Sequence, residues 1–269
     1  MRVLARCCAL LLAAASSATA QSRIGVGTSA GVAKLTDQRS EQALGGVLEY
    51  DPNRWLSLYA IPVLLHVSDT VSGRAVSSSG LGDLPLLVTA TYTSPAPGSP
   101  TAGAALVTVL PTGDVACGLG NGQTAVGLDV GVGYSPGRGH VALDASRSLS
   151  NVSAQSSLDA SRATAIHVEA GYDVAPRWTW TASLGVDLGP DSTQGLNRTI
   201  GAGVRHTLAG AVIATIDGSH GLTAASPQWV LSIGIGTAFV SSSPVTPTTP
   251  LRRLKSTFGS GNPAKIGCR

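Results

Sequence analysis

Long apolar runs, aromatic residues and charges are all scarce in this sequence. Aromatic residues make up 4% of it and charged residues 12%. After residue 20 no run approaches the roughly 20 apolar residues of a membrane-spanning helix. No segment has a convincing helical period either, so a helical protein is excluded.

Motifs of catalysis and metal binding are also missing. There is no GxSxG or comparable nucleophile motif, and the five histidines are scattered without ligand spacing. No CxxC pair occurs. We therefore expect a protein that is not an enzyme and that needs no metal and no cofactor.

Residues 1–20 have the pattern of a secretory signal peptide. Arg2 and Arg6 flank the start of a short apolar core, and Ala18-Thr19-Ala20 offers a small-residue cleavage site. Cys7 and Cys8 would leave with this segment. The other two cysteines, Cys117 and Cys268, could then pair in an oxidising compartment.

Basic charge is concentrated at the C-terminal end of the chain. Residues 21–240 contain eleven basic and fifteen acidic residues, so this part is acidic. Five basic residues follow Val240: Arg252, Arg253, Lys255, Lys265 and Arg269. The basic pI is therefore no indication of nucleic-acid binding. We expect residues 241–269, which are rich in Pro, Ser and Thr, to be a disordered tail.

Two-residue alternation is the main pattern of residues 21–240. In VGLDVGVGYSPGRGHVALDAS, at 126–146, apolar residues alternate with small or polar ones on both sides of a turn, which predicts a hairpin. Twelve such runs predict strands at about 24–33, 43–50, 54–66, 81–93, 101–110, 123–135, 139–149, 162–174, 177–188, 196–207, 210–218 and 228–240. The runs at 54–66 and 101–110 do not show which face is polar.

The predicted connections alternate in length. Short turns at 51–53, 94–100, 136–139, 175–176 and near Ala209 alternate with longer polar segments at 34–42, 67–80, 111–122, 150–161, 189–195 and 219–227. Short periplasmic turns and longer outside loops are typical of transmembrane barrels. The predicted fold is all-β, a transmembrane antiparallel up-and-down barrel of about twelve strands. A soluble β-sandwich, with the apolar face inside, is the alternative fold.

In a barrel the apolar face meets lipid and the polar face lines the lumen. The predicted lumen-lining residues are Asp129, His140, Asp144, His167, Glu169, Asp173, Asp187 and Arg205. Their acidic excess favours weak cation preference, although they could simply pair with one another. Aromatic residues beside the predicted periplasmic turns predict an interfacial girdle: Tyr50, Trp55, Tyr92, Tyr134, Tyr172, Trp178, Trp180 and Phe239. His206 shares a phase with Ile200 and Val204, and we expect it at the interface.

Several short motifs come in order along the chain: SGLGDL at 79–84, LPTGD at 110–114, GLGNGQTAVGLDVGVGY at 118–134, APRWTWTASLG at 175–185 and SPQWVLSIGIGTAF at 226–239. Residues 80–240 thereby resemble the outer-membrane barrels of the phenol meta-cleavage-pathway ("MetA-pathway of phenol degradation") transporter family. The resemblance implies a porin-like barrel for uptake of aromatic compounds, with no catalytic residues. The chain departs from this pattern because it continues beyond Phe239, where such barrels usually end.

The predicted function is passive passage of small, hydrophobic or aromatic molecules through a polar lumen in the outer membrane. Segments 67–80 and 111–122 are the candidate gating loops, and GLGNG at 118–122 is expected to be flexible. The expected partners are outer-membrane lipid, the solute and the barrel assembly machinery, with no nucleic acid. A non-conducting structural or surface-interaction barrel and a soluble secreted β-sandwich binding module remain alternatives.

Overall fold

The computed structural model describes residues 22–93, 100–149, 164–188, 197–208, 212–224 and 226–238. In these ranges no helix is long and apolar enough to cross a membrane. The described residues form fourteen strand segments: β1 Arg23–Lys34, β2 Arg39–Asn53, β3 Leu56–Ala60, β4 Val63–Val71, β5 Arg74–Leu81, β6 Leu84–Thr93, β7 Thr101–Leu110, β8 Ala125–Tyr134, β9 Gly139–Ser148, β10 Thr164–Ala175, β11 Trp178–Leu188, β12 Asn197–Thr207, β13 Ile213–Gly221 and β14 Trp229–Gly236.

These segments form one closed antiparallel sheet. From β6 to β14 each strand pairs with its sequence neighbour, and β1 pairs with both β2 and β14. Pairing of β1 with β14, from Gly27↔Gly236 to Lys34↔Trp229, closes the ring. β3 and β4 both pair with β2 and are two parts of one barrel strand; β5 and β6 likewise form one strand. The predicted twelve-stranded barrel is confirmed, and the soluble β-sandwich alternative is wrong.

The two interruptions lie side by side in the wall. Pro62, which has no N–H to give to a neighbouring strand, follows β3, and Gly82 and Asp83 separate β5 from β6. Backbone bonds continue across the gaps, since Gly46 N donates to Pro62 O at 2.8 Å and Gly82 N donates to Val63 O at 2.9 Å. The wall therefore stays hydrogen-bonded where its strands are interrupted.

Large apolar side chains cover the outside of the barrel. Leu128, Val130 and Val132 on β8 are exposed, and β9 to β14 repeat this alternation. Because successive side chains of a strand point to opposite faces, the residues between them face the interior. This interior face is polar on β8–β13 and partly apolar on β1–β6.

Two predicted loops are strands instead. Segment 67–80, a candidate gate, is the hairpin of β4 and β5, with a turn at Ser72 (φ 52°) and Gly73 (φ 76°). Segment 34–42 is mostly strand too, because β2 begins at Arg39. Both were predicted as loops because their residues are polar. These polar residues nevertheless belong to strands. Ser68, Ser77 and Ser79 alternate along β4 and β5 with residues that face the interior.

Candidate functional site

Acidic and histidine side chains from neighbouring strands pair on the interior face of β9 and β10. His167 Nδ1 lies 3.2 Å from Asp144 Oδ2, and His140 Nε2 lies 3.7 Å from Glu169 Oε1. Gly171, directly opposite His140 in the register, makes room for this pair, because a Cβ there would overlap the imidazole ring. Asp144 and Glu169 are only 4% and 7% exposed.

The other predicted interior acids lie around this group. Asp129 is half-buried between the exposed Leu128 and Val130 of β8. Asp187 Oδ2 accepts a bond of 2.6 Å from Asn197 Nδ2. Asp173, near the turn between β10 and β11, is exposed and accepts a bond of 2.6 Å from Thr179 Oγ1.

Arg205 supplies the guanidinium of this region. It interacts electrostatically with Glu169 on β10, with Asp173, and with Asp217 on β13. Asp217 is 4% exposed and leans over Gly203, where a Cβ would collide with its carboxylate. Asp217 was absent from the predicted set, although Ile213, Thr215 and Asp217 alternate with Ala214 and Ile216 as the other strands do.

A second ionic network, also absent from the predictions, lines the interior of β1–β4. Arg39 pairs with Glu41 at 2.6 Å and with Asp69 at 3.7 Å. Near the opposite end of the barrel, Arg23 lies 3.0 Å from both Glu49 and Asp51. Tyr59 donates a 2.7 Å hydrogen bond to Glu49 Oε1, so it is interior rather than interfacial.

Apolar residues fill the interior between these ionic groups. The buried cluster includes Val47, Ile61, Val63, Leu65 and Val67 of β2–β4, with Leu87 of β6 and Val230 of β14. Val107 of β7 packs against it. This cluster explains why runs 54–66 and 101–110 lack a polar face, since their inward side chains pack in or against it while their outward side chains are apolar too.

The connection after β7 folds into the barrel instead of extending outwards. Leu119 joins the interior apolar cluster and is 4% exposed. The Gly118 carbonyl accepts a bond from Arg39 at 3.4 Å, and the Cys117 carbonyl accepts one from Ser78 Oγ. The expectation that GLGNG is flexible is wrong, because its first three residues are buried and its backbone is hydrogen-bonded.

Asp83 anchors this inward-folded loop, defined here as residues 111–124. Its Oδ1 accepts a bond of 3.0 Å from Gly113 N, and its Oδ2 accepts one of 2.8 Å from Asn121 N. Asp83 is 3% exposed, and a Cβ at Gly113 or Gly120 would collide with this arrangement. The motifs SGLGDL, LPTGD and GLGNG thus meet in one structural unit, although sequence alone did not identify Asp83.

Aromatic side chains gather near the end of the barrel where β1 begins. Tyr50, Tyr92, Tyr134, Tyr172, Trp178 and Trp180 are exposed, and Trp55 is half-buried. Trp178 stacks on His206 with ring centroids 4.1 Å apart, and the Arg138 guanidinium lies 5.4 Å from the Tyr172 ring centroid. Phe239 lies outside the described residues.

Cys117, on the inward-folded loop, is disulfide-bonded. It is the only cysteine in the described ranges, so its partner and the predicted pairing with Cys268 lie outside them. Among the described residues no group of three or more His, Cys, Asp or Glu side chains could hold a metal ion.

Several solved structures are similar to this architecture. An outer membrane channel from Pseudomonas putida F1 is similar with a TM-score of 0.54 and 15% identity, over 82% of this chain and 96% of that one. The KdgM porin is similar with a TM-score of 0.50 and 9% identity, over 79% and 97%. This is the fold of outer-membrane β-barrels. The CymD monoaromatic hydrocarbon channel has a TM-score of 0.46 and 10% identity, over 81% and 88%. No protein-family model and no curated protein matches the sequence.

Proposed function

We propose that this protein is an outer-membrane channel through which small molecules pass by diffusion, without chemical conversion. The observation that carries the proposal is the inverted distribution of polarity in a closed barrel. Apolar residues cover the outside, whereas ionic pairs such as Asp144–His167 and Arg39–Glu41 line the inside. A polar interior of this kind is typical of water-filled barrels and tunes their selectivity.

The proposed lumen surface comprises Asp129, His140, Asp144, His167, Glu169, Asp173, Asp187 and Arg205, to which the geometry adds Asp217. We propose that the exposed outer face contacts outer-membrane lipid and that the aromatic residues lie at the periplasmic interface, where amphipathic rings are favoured. Insertion by the barrel assembly machinery and export by a signal peptide at 1–20 belong to the same proposal.

Hydrophobic or aromatic molecules are the proposed solutes. The sequence resemblance to phenol-pathway transporters supports this choice, and so does the apolar cluster on the interior of β2–β4. The inward-folded loop is the proposed constriction. Segment 67–80 is not proposed as a constriction, because it forms part of the barrel wall as the hairpin of β4 and β5.

Planar-bilayer conductance of the purified, reduced protein tests the channel. We expect discrete conductance steps, and liposome swelling that is faster with phenyl glucoside than with a disaccharide of similar size. Equal swelling rates with phenyl glucoside and the disaccharide would contradict the proposed preference for aromatic molecules. If heat-modifiable gel mobility shows that the barrel is folded but the protein does not conduct, the channel function is contradicted.

A non-conducting structural barrel is the second candidate function. The observation that favours it is dense interior packing, since Val47, Val63, Val67 and Leu119 are at most 4% exposed. Swelling assays separate the two functions, because a structural barrel passes no solute of any size.

A further inference from the structure

The outer face of the barrel carries strong charge of one sign only. At the outward positions of the described strands there is no acidic side chain, whereas lysine and arginine occur at Lys34, Arg147 and Arg198. All three lie at one end of the barrel, because β1 and β9 end there and β12 begins there. The carboxylates of the strands face the interior instead. This end of the outer face is therefore positively charged, and a thin wall separates it from an acidic lumen.

Two of these basic residues lie close together across the strands that close the ring. Lys34 of β1 is directly opposite Trp229 of β14, and Trp229 is directly opposite His220 of β13. His220 is in turn opposite Ile200, two residues from Arg198 on β12. Neighbouring strands are about 4.8 Å apart, so four consecutive strands bring these side chains within reach of one ligand. We call Lys34, Arg198, His220 and Trp229 the donor cluster.

The donor cluster offers hydrogen-bond donors to the outside. Arg198, His220 and Trp229 are exposed, and Lys34 is half-buried, with one of its three ammonium protons donated to the Asp37 carbonyl at 3.2 Å. The backbone of Arg198 is fixed, because its N–H donates to Ser226 Oγ at 2.9 Å and its carbonyl accepts from the same hydroxyl at 2.7 Å. Cationic donors without an acid on the same face fit the oxygens of a phosphate group.

A shallow groove on the outer face adjoins the donor cluster. It has a volume of about 640 Å³, and His220 lines it at the side of the cluster. Larger apolar side chains such as Leu184 and Ile200 form its rim. Its floor is a row of small residues that are directly opposite one another on β10 to β13: Ala170, Ala182, Ala202 and Gly218.

The groove rises obliquely towards the donor cluster. Barrel strands are tilted by about 35–45°, so a row that crosses them climbs from each strand to the next. Ala170 lies near the middle of β10, whereas Gly218 lies near the end of β13, beside His220. The outer face thus combines an apolar channel for a hydrocarbon chain with cationic donors at its upper end. This is the chemistry of a lipid that has an anionic headgroup.

We propose that the outer face of β10–β14 and β1 binds a phosphorylated lipid of the outer leaflet, with a phosphate at the donor cluster and an acyl chain in the groove over Ala182 and Ala202. The leaflet follows from the proposed orientation, in which the aromatic end of the barrel is periplasmic. Trp229 lies at the interface of the same leaflet, where indole rings are favoured. The lipid site rests on the proposed outer-membrane location and not on transport.

Native mass spectrometry of the full-length protein with bisphosphorylated lipid A tests the donor cluster. We expect wild-type protein to retain one lipid A, and Lys34→Gln with Arg198→Gln to bind it about 25-fold more weakly, since each basic residue near an anionic headgroup contributes about fivefold. Arg54→Gln, which removes an exposed arginine from the turn between β2 and β3 at the other end, is the matched control. Heat-modifiable gel mobility verifies that each variant is folded. Equal binding by the double variant and the control would overturn the proposal.

The identity of the ligand is tested with three further probes. Lipid A without phosphates should bind wild-type protein as weakly as lipid A binds the double variant. Millimolar inorganic phosphate and the deacylated, phosphorylated diglucosamine should not displace lipid A. Displacement by either would show that the cluster recognises phosphate alone, and equal binding of the unphosphorylated lipid would show that it recognises none. Both results would overturn the phosphorylated lipid as the ligand.

A substitution in the groove tests the acyl chain separately. Ala202→Phe should weaken lipid A binding about tenfold, because the ring displaces methylene groups of the chain from the apolar floor. Ala104→Phe, at an exposed outward position of β7 away from the groove, is the matched control. Equal affinities of the two variants would show that no chain occupies the groove.

Conductance separates the lipid site from the proposed channel. The donor cluster and the groove face away from the lumen, so the variants should conduct as wild type does in phosphatidylcholine bilayers. If no form conducts while lipid A binding follows the variants, the channel function fails and the lipid site remains. If all forms conduct and bind lipid A equally, the lipid site fails and the channel function remains.

Discussion

Across the β9–β10 pair, Nδ1 of His167 lies 3.2 Å from Oδ2 of Asp144 on the interior face of the barrel. The carboxylate is almost fully buried and the imidazole is half-buried, so the pair presents its histidine edge to the interior. This arrangement makes Asp144 a fixed source of negative potential beside any solute path.

Asp144→Asn should therefore weaken cation preference. A unit charge at about 4 Å contributes about 1 kcal/mol in water, so we expect the K⁺/Cl⁻ permeability ratio to fall about two- to fivefold. Reversal potentials across a KCl gradient, recorded on reduced protein, measure this ratio. Asp37→Asn, in the exposed turn between β1 and β2, should leave it unchanged. Equal ratios in both variants would show that Asp144 does not face the permeating ions.

Arg205→Gln should destabilise the barrel by about 3 kcal/mol, because removal of one partner leaves the carboxylates of Glu169 and Asp217 buried without their cation. Urea-induced unfolding in lipid vesicles, followed by tryptophan fluorescence, measures the loss. Arg198→Gln, at an exposed position of β12, is the control. Adding Asp217→Asn to Arg205→Gln should restore part of the stability, and additive losses in that double variant would argue against the pairing.

Asp83→Ala should release the inward-folded loop. Each bond to a charged acceptor contributes about 1.5–3 kcal/mol, so exchange of the Gly113 and Asn121 amide protons should speed up at least about tenfold. Hydrogen exchange read by mass spectrometry measures it. Asp114→Ala in the same loop removes one exposed acceptor, the Oδ1 to which Ala116 N donates, and should change exchange there only. Unaltered protection at Gly113 in Asp83→Ala would mean that other contacts hold the loop.

Leu184→Arg should impair insertion if the outer face meets lipid. Leu184 is exposed at the middle of β11, where a basic residue costs about 2–4 kcal/mol in a bilayer. Leu222 is equally exposed but follows the end of β13, so Leu222→Arg should cost less than about 1 kcal/mol. Folding titrations in vesicles compare the two. If Leu184→Arg costs as little free energy as Leu222→Arg, both residues lie in water.

Sequence periodicity was sufficient for most of the wall. Strands β8 to β12 mostly alternate apolar residues on the outer face with small, polar or ionic residues on the inner face. Their bounds therefore agree with the predicted runs to within a few residues. The hairpin at 126–146, with its turn near Gly137 (φ 58°), is one example.

The same pattern could not describe what fills the barrel. Runs 54–66 and 101–110 are apolar on both faces because Leu65 and Val107 pack inside. The ion pairs Arg23–Glu49 and Arg39–Glu41 were missed for the related reason that single charges in a strand do not reveal their partners. The path of the 111–124 loop depends on Asp83, which is about thirty residues from Gly113, and no local rule connects such positions.

Closure of β1 onto β14 determines when this molecule can acquire its structure. The partners Gly27 and Gly236 are separated by nearly the whole folded chain, so the ring forms only after the last strand has been synthesised. Non-local pairing of this kind slows folding. Until it forms, β1 and β14 each present an unpaired edge, and such edges recruit strands from other molecules. A chain shortened before Trp229 would thus be expected to aggregate, and the intact chain must be kept apart from its neighbours until the two ends meet.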